Sequence, residues 1–173
     1  MPRQISAIDL IVIHCTELPD LATARRFGER ELYPESASGN CGHFYIDRDG
    51  RMEQWVELDR IAHHVRGYNE RSVGIELVNR GRYPHWLSSA QQPMQEPYPQ
   101  PQLTSLTGLL ALLYHRLPAL RWLAGHEDLD RELVPASDDP AILVRRKLDP
   151  GPLFPWERIL PATPLQRWPD GLQ

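Results

Sequence analysis

Apolar residues follow two different periods along the chain, and these periods predict a sheet and helices. Residues 7–13 are β-branched and nearly continuously apolar, which is typical of a central strand buried on both faces. Polar residues appear abruptly at His14, where this predicted strand ends. Residues 72–78 form a second predicted strand, with three apolar side chains on one face: Val73, Ile75 and Leu77. Glu76 falls on the opposite face, an unusual place for a carboxylate in a buried strand.

Leucines at steps of three and four residues predict one long helix over residues 103–117, which Pro118 ends. This stripe predicts core packing and no chemistry, and it consists of Leu103, Leu106, Leu110, Leu113 and Leu117. Residues 20–30 have helical character, with Asp20 as the N-cap. Residues 155–160 predict a short helix near the end of the sequence.

Turn-forming residues divide the rest of the chain into short strands and loops. The sequence Asp-Arg-Asp-Gly at residues 47–50 predicts a hairpin between two strands, at 42–46 and 52–56. Residues 121–124 predict a last strand that leads to His126. Three stretches predict loops, at residues 60–69, 84–101 and 129–144.

The order of these elements predicts an α/β fold with a central mixed β-sheet flanked by helices. A chain of 173 residues is most simply a single domain, residues 1–173, and it can bury a core without disulfides. We expect the core over residues 5–161 and an irregular C-terminal tail over residues 162–173.

Charge and hydropathy exclude several kinds of partner. The net charge of -4 argues against a nucleic-acid partner bound through its phosphates. The apolar run at residues 8–13 is far too short to insert across a membrane. No coiled-coil pattern is visible, so we expect a monomer.

The beginning of the sequence has no basic stretch followed by an apolar segment, so no secretory signal is expected and the cytoplasm is the predicted compartment. Cys15 and Cys41 are then expected to be reduced thiols. Cys15 directly follows His14, so a role as a metal ligand stands beside the simpler role of a small buried residue.

Five polar residues are candidates for a catalytic site, and each also has a purely structural interpretation. His14 could bond to the backbone at a strand end, and Glu76 could be a carboxylate with access to water at the sheet edge. His126 could cap a loop, and Lys147 could be solvated. Asp149 precedes a Pro-Gly pair and could form a turn.

Together these five residues contain the groups that a hydrolytic zinc site needs. Two neutral imidazoles and one carboxylate are a donor set of catalytic zinc ions. Bound Zn²⁺ polarises a carbonyl group and lowers the pKa of a water molecule. A nearby carboxylate can transfer protons, and a lysine ammonium can stabilise an oxyanion. The set therefore predicts amide hydrolysis with Zn²⁺ as the cofactor.

Six segments, in order, resemble the zinc-dependent N-acetylmuramoyl-L-alanine amidase family (amidase type 2). That family also contains the amidase-type phage lysozymes and the peptidoglycan-recognition proteins. The segments extend over roughly residues 8–160, and six in register are a specific signal where one alone is weak. They are Ile11-Val12-Ile13-His14, residues 42–50, Ala62-His63-His64, residues 69–76, Gly125-His126-Glu127-Asp128 and residues 147–152.

The resemblance implies Zn²⁺ ligands at His14, His126 and Asp149. It implies Glu76 as the general base and acid, and Lys147 as the cation that stabilises the transition state. It also implies an amidase fold like that of the peptidoglycan-recognition proteins, and a muropeptide or peptidoglycan fragment as the partner.

The resemblance further implies that His64 lines the substrate groove and that Asn69 contacts the substrate. His63 would form a groove wall or serve structure only, and His43 would be structural or support a ligand from behind. Tyr45 is offset from the family's catalytic tyrosine and is given no part in catalysis.

Differences within the family favour one branch. The phage lysozymes have Cys as the third ligand and no Glu at the position of Glu76, whereas this chain has Asp149 and Glu76. The chain therefore resembles more closely the bacterial cytoplasmic branch, which cleaves 1,6-anhydro-N-acetylmuramoyl peptides in cell-wall recycling. Two alternatives remain: a phage-type endolysin that acts on polymeric peptidoglycan, and a non-catalytic peptidoglycan-binding module.

Overall fold

Eight strands and four α-helices form the protein, as seen in a computed structural model that describes residues 1–30 and 39–169. The strands are β1 (Leu10–Cys15), β2 (Phe44–Ile46), β3 (Met52–Gln54), β4 (Ser72–Leu77), β5 (Trp122–Gly125), β6 (Leu133–Pro135), β7 (Leu143–Arg145) and β8 (Gln166–Arg167). The helices are α1 (Leu21–Gly28), α2 (Gln100–Arg116), α3 (His126–Leu129) and α4 (Trp156–Ile159). Short 3-10 turns lie at Ile5–Ala7, Asn69–Arg71, Ser89–Gln91 and Leu160–Ala162.

Six of the strands form one mixed sheet in the order β3-β2-β4-β1-β5-β8. Strand β1 lies at its centre and runs parallel to both β4 and β5. Strand β2 is parallel to β4, and β8 is parallel to β5, while β3 is antiparallel to β2. The predicted mixed sheet flanked by helices is confirmed.

Strand β1 is buried along its whole length, as its continuous apolar pattern predicts. It begins at Leu10 and not at residue 7, because Ile5–Ala7 form a 3-10 turn. It also extends beyond the predicted end, to Cys15, and His14 is the register partner of Glu76 on β4. His14 therefore belongs to the strand rather than to the loop after it, and Glu76 lies within its strand as predicted.

Helix α2 covers one face of the sheet. The five leucines predicted as core are all at most 3% exposed, which confirms the helical stripe. They pack in one cluster with the apolar faces of β1 and β4, which contribute Ile11, Ile13, Val73, Ile75 and Leu77. Glu76 points to the other face, since alternate side chains of a strand face opposite sides.

Two local predictions are confirmed by hydrogen bonds. The Asp20 carboxylate accepts from the Thr23 backbone N–H at 2.7 Å and caps α1, which ends at Gly28. The turn at residues 47–50 connects the antiparallel pair β2 and β3, and Gly50 has a φ of +88°. Both strands of this hairpin are shorter than predicted.

The prediction of an irregular C-terminal tail is wrong for its described part. Strand β8 pairs with β5, because Leu165 and Trp168 on either side of it are buried and dock it against the sheet. The loop predicted at residues 129–144 also contains structure, since β6 and most of β7 form a separate antiparallel hairpin there. Residues 84–99, by contrast, form a loop with one 3-10 turn, whereas the last two residues of the predicted loop, 100 and 101, belong to α2.

The two cysteines are not bonded to each other in this structure. Cys15 is buried in the main core, and Cys41 is half-buried. Within residues 1–30 and 39–169, no helix combines the length and the apolar composition needed to cross a bilayer.

Candidate active site

The candidate residues meet at the carboxyl ends of the three central parallel strands. His14 lies near the end of β1, directly beside Glu76 on β4. His126 follows β5 and is the first residue of α3. Ligand sites are typical of this edge of an open α/β sheet, because loops of neighbouring strands converge there.

The Gly-His-Glu-Asp segment turns the chain sharply from β5 into α3. The Asp128 carboxylate accepts from the Gly125 backbone N–H at 2.6 Å and fixes this turn. A Cβ on Gly125 would lie 2.8 Å from Cδ of Pro150, so only glycine allows the two segments to approach. Asp149 is thereby brought next to His126, and its carbonyl accepts from Glu127 N–H at 3.0 Å.

Three buried side chains form a compact cluster: His14, His126 and Asp149. One carboxylate oxygen of Asp149, Oδ2, lies 2.9 Å from His14 Nδ1 and 3.2 Å from His126 Nδ1. The three ligand atoms all lie within 4.8 Å of one another. The structure thus brings together the three residues that the sequence predicts as ligands, from positions up to 135 residues apart.

The donors of this cluster fit a divalent metal ion. The second carboxylate oxygen of Asp149, Oδ1, is buried and has no hydrogen-bond partner, a costly arrangement that a bound cation would relieve. Burial lowers the pKa of His14 to about 4, so its ring is neutral and can ligate. Cys15 does not belong to the cluster, because its side chain faces the main core.

Glu76 is half-buried beside the cluster, and its acidity is changed accordingly. Burial, together with repulsion from Asp149, raises the pKa of Glu76 to about 8. The charge of Lys147 opposes this shift. A carboxyl group with a pKa in this range can exchange protons near neutral pH, as general acid–base catalysis requires.

A cavity of about 950 Å³ opens over the cluster. Its lining includes the three cluster residues, Glu76 and the half-buried Lys147. His63, His64 and Asn69 lie on its wall. A cavity of this size can accept a ligand of several linked groups.

The predicted substrate residues also make contacts inside the protein. His64 is 8% exposed, and its ring nitrogens lie 3.0 Å from His14 Nε2 and 3.1 Å from Ser72 Oγ. The Asn69 side-chain oxygen accepts from the backbone N–H groups of His64 and Val65, at 3.0 and 2.8 Å. Contact of His64 or Asn69 with a substrate stays a prediction.

His43 is fully buried behind the site. Its Nδ1 accepts from Gly74 N–H at 3.1 Å, and its Nε2 lies 3.1 Å from the Arg60 carbonyl. These contacts hold the ring between two backbone segments, and its structural or ligand-supporting role stays a prediction. Tyr45 stacks on Trp55 with ring centroids 3.5 Å apart, and its hydroxyl accepts from Gly42 N–H at 3.1 Å.

The sequence pattern did not indicate Arg82, which lies in the loop between β4 and α2. This loop, residues 78–99, is called the proline-rich loop. Its guanidinium is buried and donates to both carboxylate oxygens of Glu17, at 2.8 and 3.1 Å. It also donates to the carbonyls of Arg145 and Arg146, at 2.9 and 3.1 Å. Arg82 therefore holds the backbone just before Lys147. The sequence offered one signal for Arg82: the charged residue Glu17 follows a buried strand closely along the chain.

The proline-rich loop makes one further contact with the segment that carries Asp149 and another with the β6–β7 hairpin. The Tyr98 hydroxyl donates to the Pro150 carbonyl at 2.6 Å. The Asp138 carboxylate accepts from Ser88 Oγ and from backbone N–H groups at residues 89 and 90, and these bonds lower its pKa. The loop thus acts as a support for the site, a role that the sequence left open.

Known proteins resemble this chain in sequence and in fold. AmiD, an N-acetylmuramoyl-L-alanine amidase of Escherichia coli K12, is 34% identical over 128 residues, which are 69% of this chain and 40% of AmiD. The 1,6-anhydro-N-acetylmuramyl-L-alanine amidase AmpD of Enterobacter cloacae is 30% identical over 138 residues, or 75% of this chain and 58% of AmpD. An endolysin of Enterobacteria phage K11 is 33% identical over 96 residues, or 56% of this chain and 58% of the endolysin.

A solved structure of E. coli AmiD, in complex with the substrate anhydro-N-acetylmuramic acid-L-Ala-D-γ-Glu-L-Lys, has the same fold with a TM-score of 0.68. It is 24% identical, and the match covers 95% of this chain and 60% of that one. The chain thus spans between two fifths and three fifths of the length of each of these relatives. The model of one family, described as N-acetylmuramoyl-L-alanine amidase, matches residues 4–152. On that match, which takes in the whole cluster, the chain belongs to the N-acetylmuramoyl-L-alanine amidase family, Amidase_2.

Proposed function

We propose that the protein is a zinc-dependent amidase that hydrolyses the amide bond between N-acetylmuramic acid and L-alanine in muropeptides. The observation that carries the proposal is the buried cluster of His14, His126 and Asp149 beside a proton-exchanging carboxyl group, at the floor of a cavity. Membership of the amidase family supports the same reaction.

His14, His126 and Asp149 would hold the metal ion. Two imidazoles and one carboxylate favour Zn²⁺ over Mg²⁺ or Ca²⁺, which prefer oxygen ligands. Zinc, when bound, supplies Lewis acidity that polarises the amide carbonyl and makes water more acidic.

Glu76 accepts a proton from the attacking water and later donates it to the departing nitrogen of L-alanine. Its position on β4, beside His14, supports this role, since proton transfer requires a group within hydrogen-bond reach of the reacting atoms. The ammonium of Lys147 stabilises the negative charge that develops on the carbonyl oxygen. Both groups are partly shielded from water, which strengthens their electrostatic effect.

We further propose that the 1,6-anhydro form of the muropeptide is the substrate and that the enzyme acts in cell-wall recycling, in the cytoplasm. The name of AmpD and the ligand bound to AmiD support the anhydro form. The unpaired cysteines agree with a reducing compartment.

The sequence identity with the phage K11 endolysin favours a second candidate, an amidase that cleaves polymeric peptidoglycan. The two functions differ in the size of the substrate. Purified protein should be assayed with a soluble anhydro-muropeptide and with isolated sacculi, at equal protein concentration. Faster release of peptide from the soluble substrate supports the recycling enzyme, and faster release from sacculi supports the endolysin.

Two substitutions test the mechanism. Glu76→Gln removes the proton acceptor, so we expect zinc to be retained and turnover to fall about 100-fold or more. Asp149→Ala removes a ligand, so we expect loss of both zinc and turnover. Released peptide is measured by mass spectrometry and zinc by elemental analysis.

The matched control for these variants is Glu57→Gln, because Glu57 is exposed and lies outside the cavity lining. It should retain wild-type zinc content and turnover. Near-normal turnover of Glu76→Gln at full zinc content would refute the proposed mechanism. A wild-type protein that binds zinc but cleaves neither substrate would indicate a non-catalytic binding module.

A further inference from the structure

A chain of buried hydrogen bonds extends from a backbone carbonyl to His14. Ser72 Oγ lies 2.7 Å from the Tyr68 carbonyl oxygen and 3.1 Å from His64 Nε2. His64 Nδ1 lies 3.0 Å from His14 Nε2. All three side chains are at most 8% exposed. We call this the Ser72–His64–His14 chain.

The carbonyl at one end fixes the direction of the whole chain. A carbonyl oxygen can only accept, so the single hydroxyl proton of Ser72 points towards Tyr68. Ser72 Oγ must then accept from its other neighbour, His64. The proton of the neutral His64 ring is therefore on Nε2, and its Nδ1 carries a lone pair.

The same reasoning determines the tautomer of His14. Because His64 Nδ1 is an acceptor, His14 Nε2 must donate to it. The lone pair of His14 is then on Nδ1, which faces Asp149 Oδ2 at 2.9 Å. Two lone-pair groups at this distance repel each other, and a bound cation would relieve the repulsion.

The backbone around His64 is built to keep its ring in this place. A Cβ on Gly74 would lie 2.6 to 2.9 Å from three ring atoms of His64, so the ring occupies the space that a side chain at 74 would need. Asn69 fixes the loop from the other side, through its bonds to the N–H groups of His64 and Val65. Both ring nitrogens of His64 are already paired within the protein.

We propose that His64 and Ser72 are positioning residues, which hold His14 in the tautomer with a free Nδ1 and so set the affinity of the metal site. The proposal rests on the proposed function, since it assumes that the cluster binds zinc. It assigns His64 to orientation of a ligand where the family resemblance had implied contact with substrate. Groups that orient metal-ligating histidines from behind commonly change metal affinity about 10- to 100-fold.

Two substitutions of His64 separate hydrogen bonding from packing. His64→Asn keeps an acceptor close to the position of Nδ1, whereas His64→Leu fills similar space without one. We expect His64→Leu to weaken zinc binding about 10- to 100-fold and His64→Asn to retain most of the affinity. A packing role predicts the opposite order. Zinc affinity is measured by competition with a colorimetric chelator, on protein whose folding has been checked by circular dichroism.

Substitution of Ser72 tests the anchor of the chain. Ser72→Ala removes the acceptor for His64 Nε2–H, and we expect a smaller loss of zinc affinity in the same direction. Ser72→Thr keeps the hydroxyl and should restore the affinity. His115→Leu serves as the matched control, because His115 is exposed on α2 and should bind zinc like the wild type.

The tautomer itself can be observed without metal or substrate. In zinc-free wild-type protein with ¹⁵N-labelled histidine, two-bond ¹⁵N–¹H correlation spectra should show His14 protonated on Nε2. His14 protonated on Nδ1 would overturn the proposal, even if no His64 variant folds. Wild-type zinc affinity in both His64→Leu and Ser72→Ala would also overturn it. A wild-type protein that binds no zinc would refute the proposed function instead, and is thus a distinct failure.

Discussion

Two groups of site residues are held in place by different means. One group lies on strands of the main sheet, and the other lies on a loop. His14 and Glu76 belong to adjacent parallel strands, and the β1–β4 hydrogen bonds fix their backbones. The other face of these strands packs on α2. Lys147 and Asp149 follow β7, which pairs with β6 and not with the main sheet.

Lys147 and Asp149 are not held by pairing with the main sheet. Side chains of the proline-rich loop bind the backbone on either side of them instead. Arg82 binds the carbonyls of residues 145 and 146, and Tyr98 binds the carbonyl of Pro150. Irregular backbone needs such partners, because a buried carbonyl without one is costly. The comparison teaches that damage to the sheet should lower global stability alone, whereas damage to these contacts should also lower the zinc affinity of the protein that remains folded.

The largest expected effect is that of Arg82→Ala. It leaves Glu17 as a buried unpaired charge, so we expect the free energy of unfolding to fall by about 3–5 kcal/mol. The carbonyls of residues 145 and 146 also lose a donor, so zinc affinity should fall in protein that remains folded. Urea denaturation and chelator competition measure the two effects.

Two further variants show whether this effect is specific to the loop. Glu17→Gln combined with Arg82→Ala removes the unpaired charge, so stability should recover in part while zinc affinity stays low. Leu110→Ala, in the core beneath the sheet, should cost about 2–5 kcal/mol and leave the zinc affinity of the folded protein unchanged. Equal zinc affinity in wild type and Arg82→Ala would contradict the comparison.

A pH-dependent effect tests the residues on the strands. In metal-free protein Glu76 has a pKa of about 8, against 4.5 for an ordinary glutamate. The folded state therefore binds more protons between these values, and the contribution of Glu76 to stability, complete below pH 4.5, is lost as pH rises to about 8. The lowered pKa values of the buried His14, His43 and His64 act in the opposite direction below pH 7. Glu76→Gln should therefore flatten the decline in unfolding free energy that urea denaturation measures from pH 7 to 8.5.

Part of the decline in unfolding free energy with rising pH should persist in Glu76→Gln, because burial also raises the pKa of Glu127 to about 7. Glu57→Gln, at an exposed position, should retain the full wild-type slope. Identical slopes in wild type and Glu76→Gln would mean that Glu76 is ionised in the folded metal-free protein.

The smallest expected effect is that of Tyr98→Phe. It removes the hydroxyl that binds the Pro150 carbonyl but keeps the ring that packs against Phe154. We expect a loss of about 1 kcal/mol in unfolding free energy and a few-fold weaker zinc binding. Tyr114→Phe, on the exposed side of α2, should change neither quantity. A zinc affinity equal to that of the wild type would show that this bond does not position Asp149.

The elements that the sequence predicts correctly depend on local signals. The leucine stripe of α2, the alternation of β4 and the Asp20 cap each require only a few neighbouring residues. Strand β8 was missed because two residues are too short for any periodicity to appear.

The features of the site also differ in whether the sequence predicts them. Residue types and their order along the family's motifs predict the cluster of His14, His126 and Asp149, which the structure brings together. The ion pair of Glu17 with Arg82 joins residues 65 positions apart and leaves no periodic trace. The direction of the Ser72–His64–His14 chain depends on one carbonyl oxygen, which every residue has and no sequence pattern can single out.

The contacts of Arg82 have a consequence for substitutions in the cavity wall of this protein. Arg82 binds main-chain carbonyls, which any residue type would provide at position 146. The side chain of Arg146 lies on the cavity wall. Substitutions at position 146 would therefore change the cavity wall while the backbone contact with Arg82 persists. They would also remove the ion-pair partner of the buried Asp130, so the new side chain must replace that partner.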